Sequence, residues 1–171
     1  MIKLQDYIRD VADFPKPGVL FKDITPLLAS RGASEICLDR LLLLVEDQKI
    51  DKVVAIESRG FFFGTLLAQR LNAGFVPIRK SGKLPFDTIK EPYSLEYGMD
   101  VLEMHEDAIL PGEKVLLHDD VLATGGTAKA ACKLIEKLGG EIVQCNFIIE
   151  LEFLRGAEKL RRFEIRPLIS Y

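Results

Sequence analysis

The 171-residue chain contains no apolar run of about 18 residues, the length a membrane-spanning helix needs, and its opening residues Met1-Ile2-Lys3-Leu4-Gln5-Asp6 lack the apolar core of a secretion signal. It also lacks an excess of positive charge. Against 26 Asp and Glu stand 23 Lys and Arg, leaving a net charge of −3, so no broad attraction to nucleic acid is expected and any anion site must come from local geometry. Cysteine is scarce: Cys37, Cys132 and Cys145 are odd in number, unspaced for zinc and set in apolar patterns, which predicts buried thiols in a reducing compartment. Repeats, linkers and low-complexity segments are missing too. The expectation is a soluble cytoplasmic protein with neither a membrane nor a nucleic-acid partner. With 48% hydrophobic residues, the chain suits a single domain, 1–171, with a sizeable core.

What is present centres on residues 115–130. The apolar run Val115-Leu116-Leu117 predicts a buried parallel strand that surfaces at the acidic pair Asp119-Asp120, and ligands of open α/β sheets bind at that carboxyl end. Ala123-Thr124-Gly125-Gly126-Thr127 follows, and then a helical pattern with Ala128, Ala131, Cys132, Ile135 and Leu138 on one face. The two glycines let the backbone approach a ligand, and the helix start offers unpaired N–H groups, which suits a monophosphate. Asp119 and Asp120 would accept hydrogen bonds from a diol or hold Mg²⁺. The implied ligand is a ribose 5-phosphate. No Lys follows the second glycine, so this is not a Walker loop, and the G-x-G-x-x-G of dinucleotide folds is absent. A lone Gly-Gly would suit an ordinary strand, turn and helix with a solvated acidic pair, but the full run argues against that reading. His118 reads as a strand side chain that the site tolerates, with a catalytic base as the alternative.

Elsewhere the periodicity predicts a short amphipathic helix over 2–12, with Leu4, Ile8 and Val11 on one face, broken by Phe14-Pro15-Lys16-Pro17-Gly18. A rigid loop then presents Phe21, which composition alone would make a core anchor. A wide apolar stripe predicts a helix over 34–48. Residues 52–56 read as a buried strand; Glu57-Ser58-Arg59-Gly60 follows at its end and opens a helix over 61–71, with Arg59 able to grip two phosphate oxygens or to lie on the surface. Residues 75–78 read as a strand in which Pro77 signals an edge or a bulge. Arg79, Lys80 and Lys83 gather around Gly82, either as a solvated charge run or as part of a long binding loop. Residues 93–98 and 101–105 alternate with period two and predict a ribbon turning about Gly98-Met99-Asp100, with Glu96 as an exposed strand carboxylate. A turn over 109–114 leads into the central motif, Gly139-Gly140 stops its helix, and further strands are expected over 142–149 and, at an edge, over 163–169. Leu151 by itself reads as core. The whole is an α/β fold: a central, mainly parallel sheet flanked by helices.

The run from 115 to 130 resembles the phosphoribosyl-pyrophosphate signature of the type I phosphoribosyltransferases, although His118 stands where an aliphatic residue is usual. Phe14-Pro15-Lys16-Pro17-Gly18-Val19-Leu20-Phe21-Lys22-Asp23-Ile24 is similar to the amino-terminal signature of the adenine phosphoribosyltransferases, and the Arg-Lys-x-Gly-Lys-Leu-Pro and Ser-Leu-Glu-Tyr-Gly patterns match as well. The resemblance spans nearly the whole chain. It implies the type I fold with a small amino-terminal hood over about 1–33 and a flexible lid over about 79–105. It implies transfer of phosphoribosyl to adenine, giving AMP and pyrophosphate, with Mg²⁺ as cofactor and a homodimer as the assembly. Site residues carry over by position. Leu20, Phe21, Lys22 and Leu151 would bind adenine. Ser58, Arg59, Arg79, Lys80, Lys83, Asp119, Asp120, Ala123, Thr124, Gly125, Gly126 and Thr127 would bind phosphoribosyl pyrophosphate or AMP, with the two aspartates also placed to hold the metal directly or through substrate hydroxyls and water. Glu96 and Arg59 would take the catalytic roles, and the Glu57-Ser58 peptide would be cis. The rivals are a hypoxanthine–guanine or xanthine transferase, which the segment 14–24 argues against, and a non-catalytic phosphoribosyl-pyrophosphate sensor, which would need a basic face or an added helix-turn-helix.

Overall fold

The computed structural model describes residues 2–94 and 98–171. The chain divides into two compact units, one ending at Arg40 and the other running from Leu41 to Tyr171.

In the first unit a 3-10 turn, Leu4–Tyr7, leads into β1 (Arg9–Ala12), which pairs antiparallel with β2 (Leu20–Asp23). The helix expected over 2–12 therefore does not form. So short a stretch is marginal as a helix by itself, β-branched Ile8 and Val11 favour extended backbone, and pairing with 20–23 supplies the ladder instead. Asp13, at φ +56°, accepts the N–H of Gly18 at 2.7 Å and closes the connection, in which the Phe14-Pro15 peptide is cis. Asp23 accepts both the N–H and the hydroxyl of Thr25, at 2.9 and 2.7 Å, where α1 (Thr25–Ala29) begins. Next comes α2 (Arg31–Leu43), earlier at both ends than the apolar stripe predicted; Ser30 sets its start by accepting the N–H of Ala33.

The second unit is built on a seven-stranded sheet. Its strands are β3 (Lys52–Ile56), β4 (Gly74–Lys80), β5 (Thr88–Ser94), β6 (Met99–His105), β7 (Lys114–Leu122), β8 (Glu141–Glu150) and β9 (Ile165–Ser170), in the order β5-β6-β4-β3-β7-β8-β9. From β4 to β9 the neighbours run parallel, whereas β6 is antiparallel to β4 and to β5. Helices α3 (Gly60–Arg70) and α4 (Gly126–Lys137) make the crossovers from β3 to β4 and from β7 to β8. Val53, Val54, Leu116, Leu117, Phe147 and Ile148 are fully buried, as expected of strands covered on both faces.

Three predicted elements are redrawn. First, β7 continues through the acidic pair to Leu122, because β8 reaches equally far and offers Ile149 and Glu150 as partners for Val121 and Leu122. Second, the ribbon is displaced: β5 lies over 88–94 and pairs Tyr93 with Asp100 and Ser94 with Met99, so Met99 and Asp100 belong to β6 and not to the turn expected there. Third, β4 is interior to the sheet despite Pro77, since β6 pairs only with Arg79 and Lys80 and leaves β4 unpartnered on that side at the proline.

Candidate active site

The carboxyl ends of β3, β4, β7 and β8 bring most of the predicted site residues of the second unit to one edge of the sheet. After β3 the chain passes through Glu57, Ser58 and Arg59 into α3, and the Glu57-Ser58 peptide is cis, as the resemblance implied. Arg59 donates to the buried carboxylate of Asp120. Gly60 is needed for closeness: a Cβ there would stand 2.8 Å from Oδ1 of Asp119 and 3.2 Å from the carbonyl oxygen of His118. Burial, and then the charge of Asp120, push the Asp119 carboxyl well above the usual carboxylate range. A cation or a diol beside it would relieve that cost.

The phosphate-type turn lies between β7 and α4. Gly125 stands at φ +74° as the residue before the helix. No side chain caps α4 and no acidic residue occupies its first turn, so the N–H groups of that turn and the positive end of the helix dipole remain available to an anion. Thr127 sits in this first turn beside the phenol of Tyr93, which donates to Asp100 at 3.2 Å. Leu151, just past β8, is buried and gives its N–H to the carbonyl of Leu122 at 2.9 Å.

The cations at the end of β4 and just past it are paired, which speaks against the solvated charge run of the two readings the sequence allowed. The Glu57 carboxylate accepts from Arg79 Nε at 3.2 Å, from the N–H of Lys80 at 3.1 Å and from the ammonium of Lys83. Burial raises its pKa, but these bonds outweigh burial and hold it below the usual range. Lys80 turns instead to Asp100, at 3.0 Å. Buried Glu103 anchors the next turn, accepting from Lys90 Nζ, Ser81 Oγ and the N–H of Gly82 at 2.8, 2.7 and 2.9 Å, contacts that pull its pKa down to about 2. Within the predicted lid, 81–87 and Gly98 are the described residues outside regular structure. Strand β5 is docked on α4, where Lys133 and Lys137 hold Glu91 at 2.6 and 2.8 Å.

In the first unit Phe21 is half-buried and meets Phe14 edge-on, with ring centroids 5.1 Å apart, while Leu20 is largely exposed and the buried Lys22 ammonium reaches Asp10 at 2.6 Å. Glu96 lies outside the described residues.

Sequence reasoning missed the partner of His118. This side chain is fully buried, its Nδ1 stands 2.8 Å from Oδ1 of Asn146 on β8, and burial depresses its pKa to about 4. It is thus a neutral core imidazole, and Asn146 carried no local signal of the pairing. Cys37, Cys132 and Cys145 are free and buried as predicted, and the sulfurs of the last two lie 3.9 Å apart. Among the described residues no three His, Cys, Asp or Glu side chains are grouped to hold a metal, and no helix is long and apolar enough to cross a membrane.

Residues 27–161 match the phosphoribosyl transferase domain family. Over 170 residues, 99% of both chains, the sequence is 63% identical to the adenine phosphoribosyltransferase of Christiangramia forsetii. The fold superposes with a TM-score of 0.95 on the adenine phosphoribosyltransferase of Rhodothermus marinus, which is 51% identical, over 98% of this chain and 96% of that one. It superposes with a TM-score of 0.91 on the Saccharomyces cerevisiae enzyme complexed with an imino-altritol bisphosphate and adenine, 41% identical, over 95% and 94% of the two chains.

Proposed function

The chain belongs to the phosphoribosyltransferase family, with adenine phosphoribosyltransferases as its relatives, and on that premise we propose that it transfers phosphoribosyl from phosphoribosyl pyrophosphate to adenine in purine salvage. The observation that carries the reading is the convergence, at the carboxyl ends of β3, β4 and β7, of Arg59 on Asp120, of Arg79 and Lys83 on Glu57, and of an uncapped helix start after a glycine turn.

In the reaction the bond from the anomeric carbon to pyrophosphate breaks, a bond to the purine nitrogen forms and that nitrogen gives up its proton. Positive charge builds on the ribose and negative charge on the leaving group. The backbone and hydroxyls of Ala123, Thr124, Gly125, Gly126 and Thr127 anchor the 5-phosphate. Asp119 and Asp120 accept from the ribose hydroxyls. Ser58, Arg59, Arg79, Lys80 and Lys83 hold the pyrophosphate, which must draw Arg79 and Lys83 away from Glu57. Phe21 stacks on adenine and backbone groups of Leu20 and Lys22 read its edge, while Leu151 is assigned to the base by the resemblance alone. Glu96 takes the purine proton.

Two adjacent carboxylates, one of them engaged by Arg59, are too few for a closed metal cage but suit Mg²⁺, which is commonly held by one or two carboxylates together with substrate phosphates. Asp119 and Asp120 would hold it there, and when bound it adds positive charge beside the departing pyrophosphate. The buried free thiols support a reducing, cytoplasmic setting. Exposed Phe62 and Leu66, one turn apart on α3, support a homodimer.

Incubation with Mg²⁺, phosphoribosyl pyrophosphate and each purine base separately tests the reading. AMP from adenine is expected; nucleotide formed only from hypoxanthine, guanine or xanthine would reassign the substrate, and no nucleotide from any base would leave a sensor.

A further inference from the structure

Between the phosphate turn and the segment after β8, two stretches of backbone touch with no side chain between them. A Cβ added to Gly156 would fall on the carbonyl oxygen of Ala123 and stand 2.9 Å from the Gly125 nitrogen, while one added to Gly125 would fall on the carbonyl of Gly156. Every atom in this contact is backbone, so no rotamer change can relieve an intruding methyl group. The segment bearing Gly156 is itself held in place. Leu151 is bonded to Leu122, the N–H of Arg155 reaches the carbonyl of Glu152 at 2.9 Å, Arg155 takes φ +54°, and Leu160 at the end of the turn is fully buried. The phosphate turn has less of its own: α4 has no side-chain cap.

We propose that Gly156 is a positioning residue for the phosphate turn, its bare backbone forming the surface against which Ala123, Thr124 and Gly125 take the shape that opens α4 to an anion. The inference rests on the phosphoribosyl reading for the identity of that anion. It also ties the two halves of the substrate together, because the segment that sets the phosphate turn follows directly from Leu151, assigned to the base.

Gly156→Ala must shift the turn by about 1 Å, and weakening the charge-assisted hydrogen bonds it gives to the phosphate should cost about ten- to a hundredfold in affinity. The loss should fall on the KM for phosphoribosyl pyrophosphate, with kcat much less affected, since phosphate anchoring is binding shared by ground and transition states. Gly140→Ala is the control: its Cβ would press on Ile135 at 2.8 Å and Ile109 at 3.1 Å, in the core and away from the turn, so it should lower the melting temperature and leave KM alone. Backbone amide shifts of residues 123–127, recorded without ligand, should move in Gly156→Ala and stay in Gly140→Ala. An unchanged KM, unmoved amides, or an equal rise of KM in both variants would each overturn the proposal. Should Gly156→Ala fail to fold, Leu160→Val loosens the same turn without inserting an atom; it should raise KM less steeply, and an unchanged KM would count against Gly156 equally. If the wild-type protein binds no phosphoribosyl pyrophosphate, the functional reading fails, whereas the amide shifts still decide whether Gly156 shapes the turn.

Discussion

His118 and Phe21 show how differently single side chains can be employed here. His118 is neutral in the folded protein because burial disfavours its charged form, and its folded pKa of about 4 lies below the unfolded value of about 6.5. The unfolded chain therefore binds the proton more readily. Stability from this group is level above about pH 6.5 and falls as the pH drops toward about 4, by up to about 3 kcal/mol. Asp119, with its raised pKa, works in the opposite sense, gaining on acidification. Urea unfolding at pH 7 and pH 4.5 should show a smaller acid loss in the double variant His118→Leu/Asn146→Leu than in the wild type, because removing both partners leaves no orphaned amide; identical losses would clear His118 as the source. Phe21 is only half-buried and leans on exposed Phe14, which weakens the core-anchor reading that composition suggested. Phe21→Ala should weaken adenine binding by roughly one to two decades, the worth of about 1–3 kcal/mol of stacking, with phosphoribosyl-pyrophosphate affinity retained. Equal loss of both ligands together with early melting would make Phe21 a packing residue.

At the level of elements, the stretch after β4 departs furthest from expectation. The resemblance implied a flexible lid carrying these cations, yet Glu57, just past the end of β3, gathers Arg79, Lys83 and the N–H of Lys80, and Glu103 on β6 pins Ser81 and Gly82. Neither carboxylate is near its partners in sequence. Glu57→Gln should accordingly free Lys83. With a partly exposed ion pair worth about 0.3–1 kcal/mol, trypsin should cut after Lys83 about two- to fivefold faster in the variant, and phosphoribosyl pyrophosphate with Mg²⁺ should slow cleavage in both proteins. The same cleavage rate in variant and wild type would mean that the Glu57 contacts do not hold this turn.

On the scale of the whole molecule, ligand binding is read as stability. Any ligand that binds only the folded chain adds RT ln(1 + [L]/Kd), about 2.7 kcal/mol at a hundredfold excess over Kd, and a chain of this size gains about 2–4 °C per kcal/mol. Phosphoribosyl pyrophosphate with Mg²⁺ should thus raise the melting temperature by roughly 5–11 °C. Ribose 5-phosphate, which reaches the glycine turn but brings no pyrophosphate to Arg59, Arg79 and Lys83, should raise it less at the same concentration. A larger shift with ribose 5-phosphate would contradict the pyrophosphate role given to those cations.

Much of this protein is written locally. The apolar run of β3, the glycines and hydroxyls before α4, the free buried cysteines and the motifs that carry the family resemblance need only neighbours in the chain to be recognised, because period, turn chemistry and helix capping act over a few residues. Other features needed the fold. Residues 9–12 form a strand because 20–23 lies opposite them, and β7 carries Asp119 and Asp120 inside a strand because β8 reaches as far as Glu150. Asn146 meets His118, Glu57 collects its cations, and Gly156 presses on Gly125 through contacts between segments distant in sequence. An amide, a carboxylate or a glycine looks the same locally whether or not such a partner exists, so its role is set by what tertiary packing brings against it and by the cost of leaving a buried polar group or a misplaced backbone without its match.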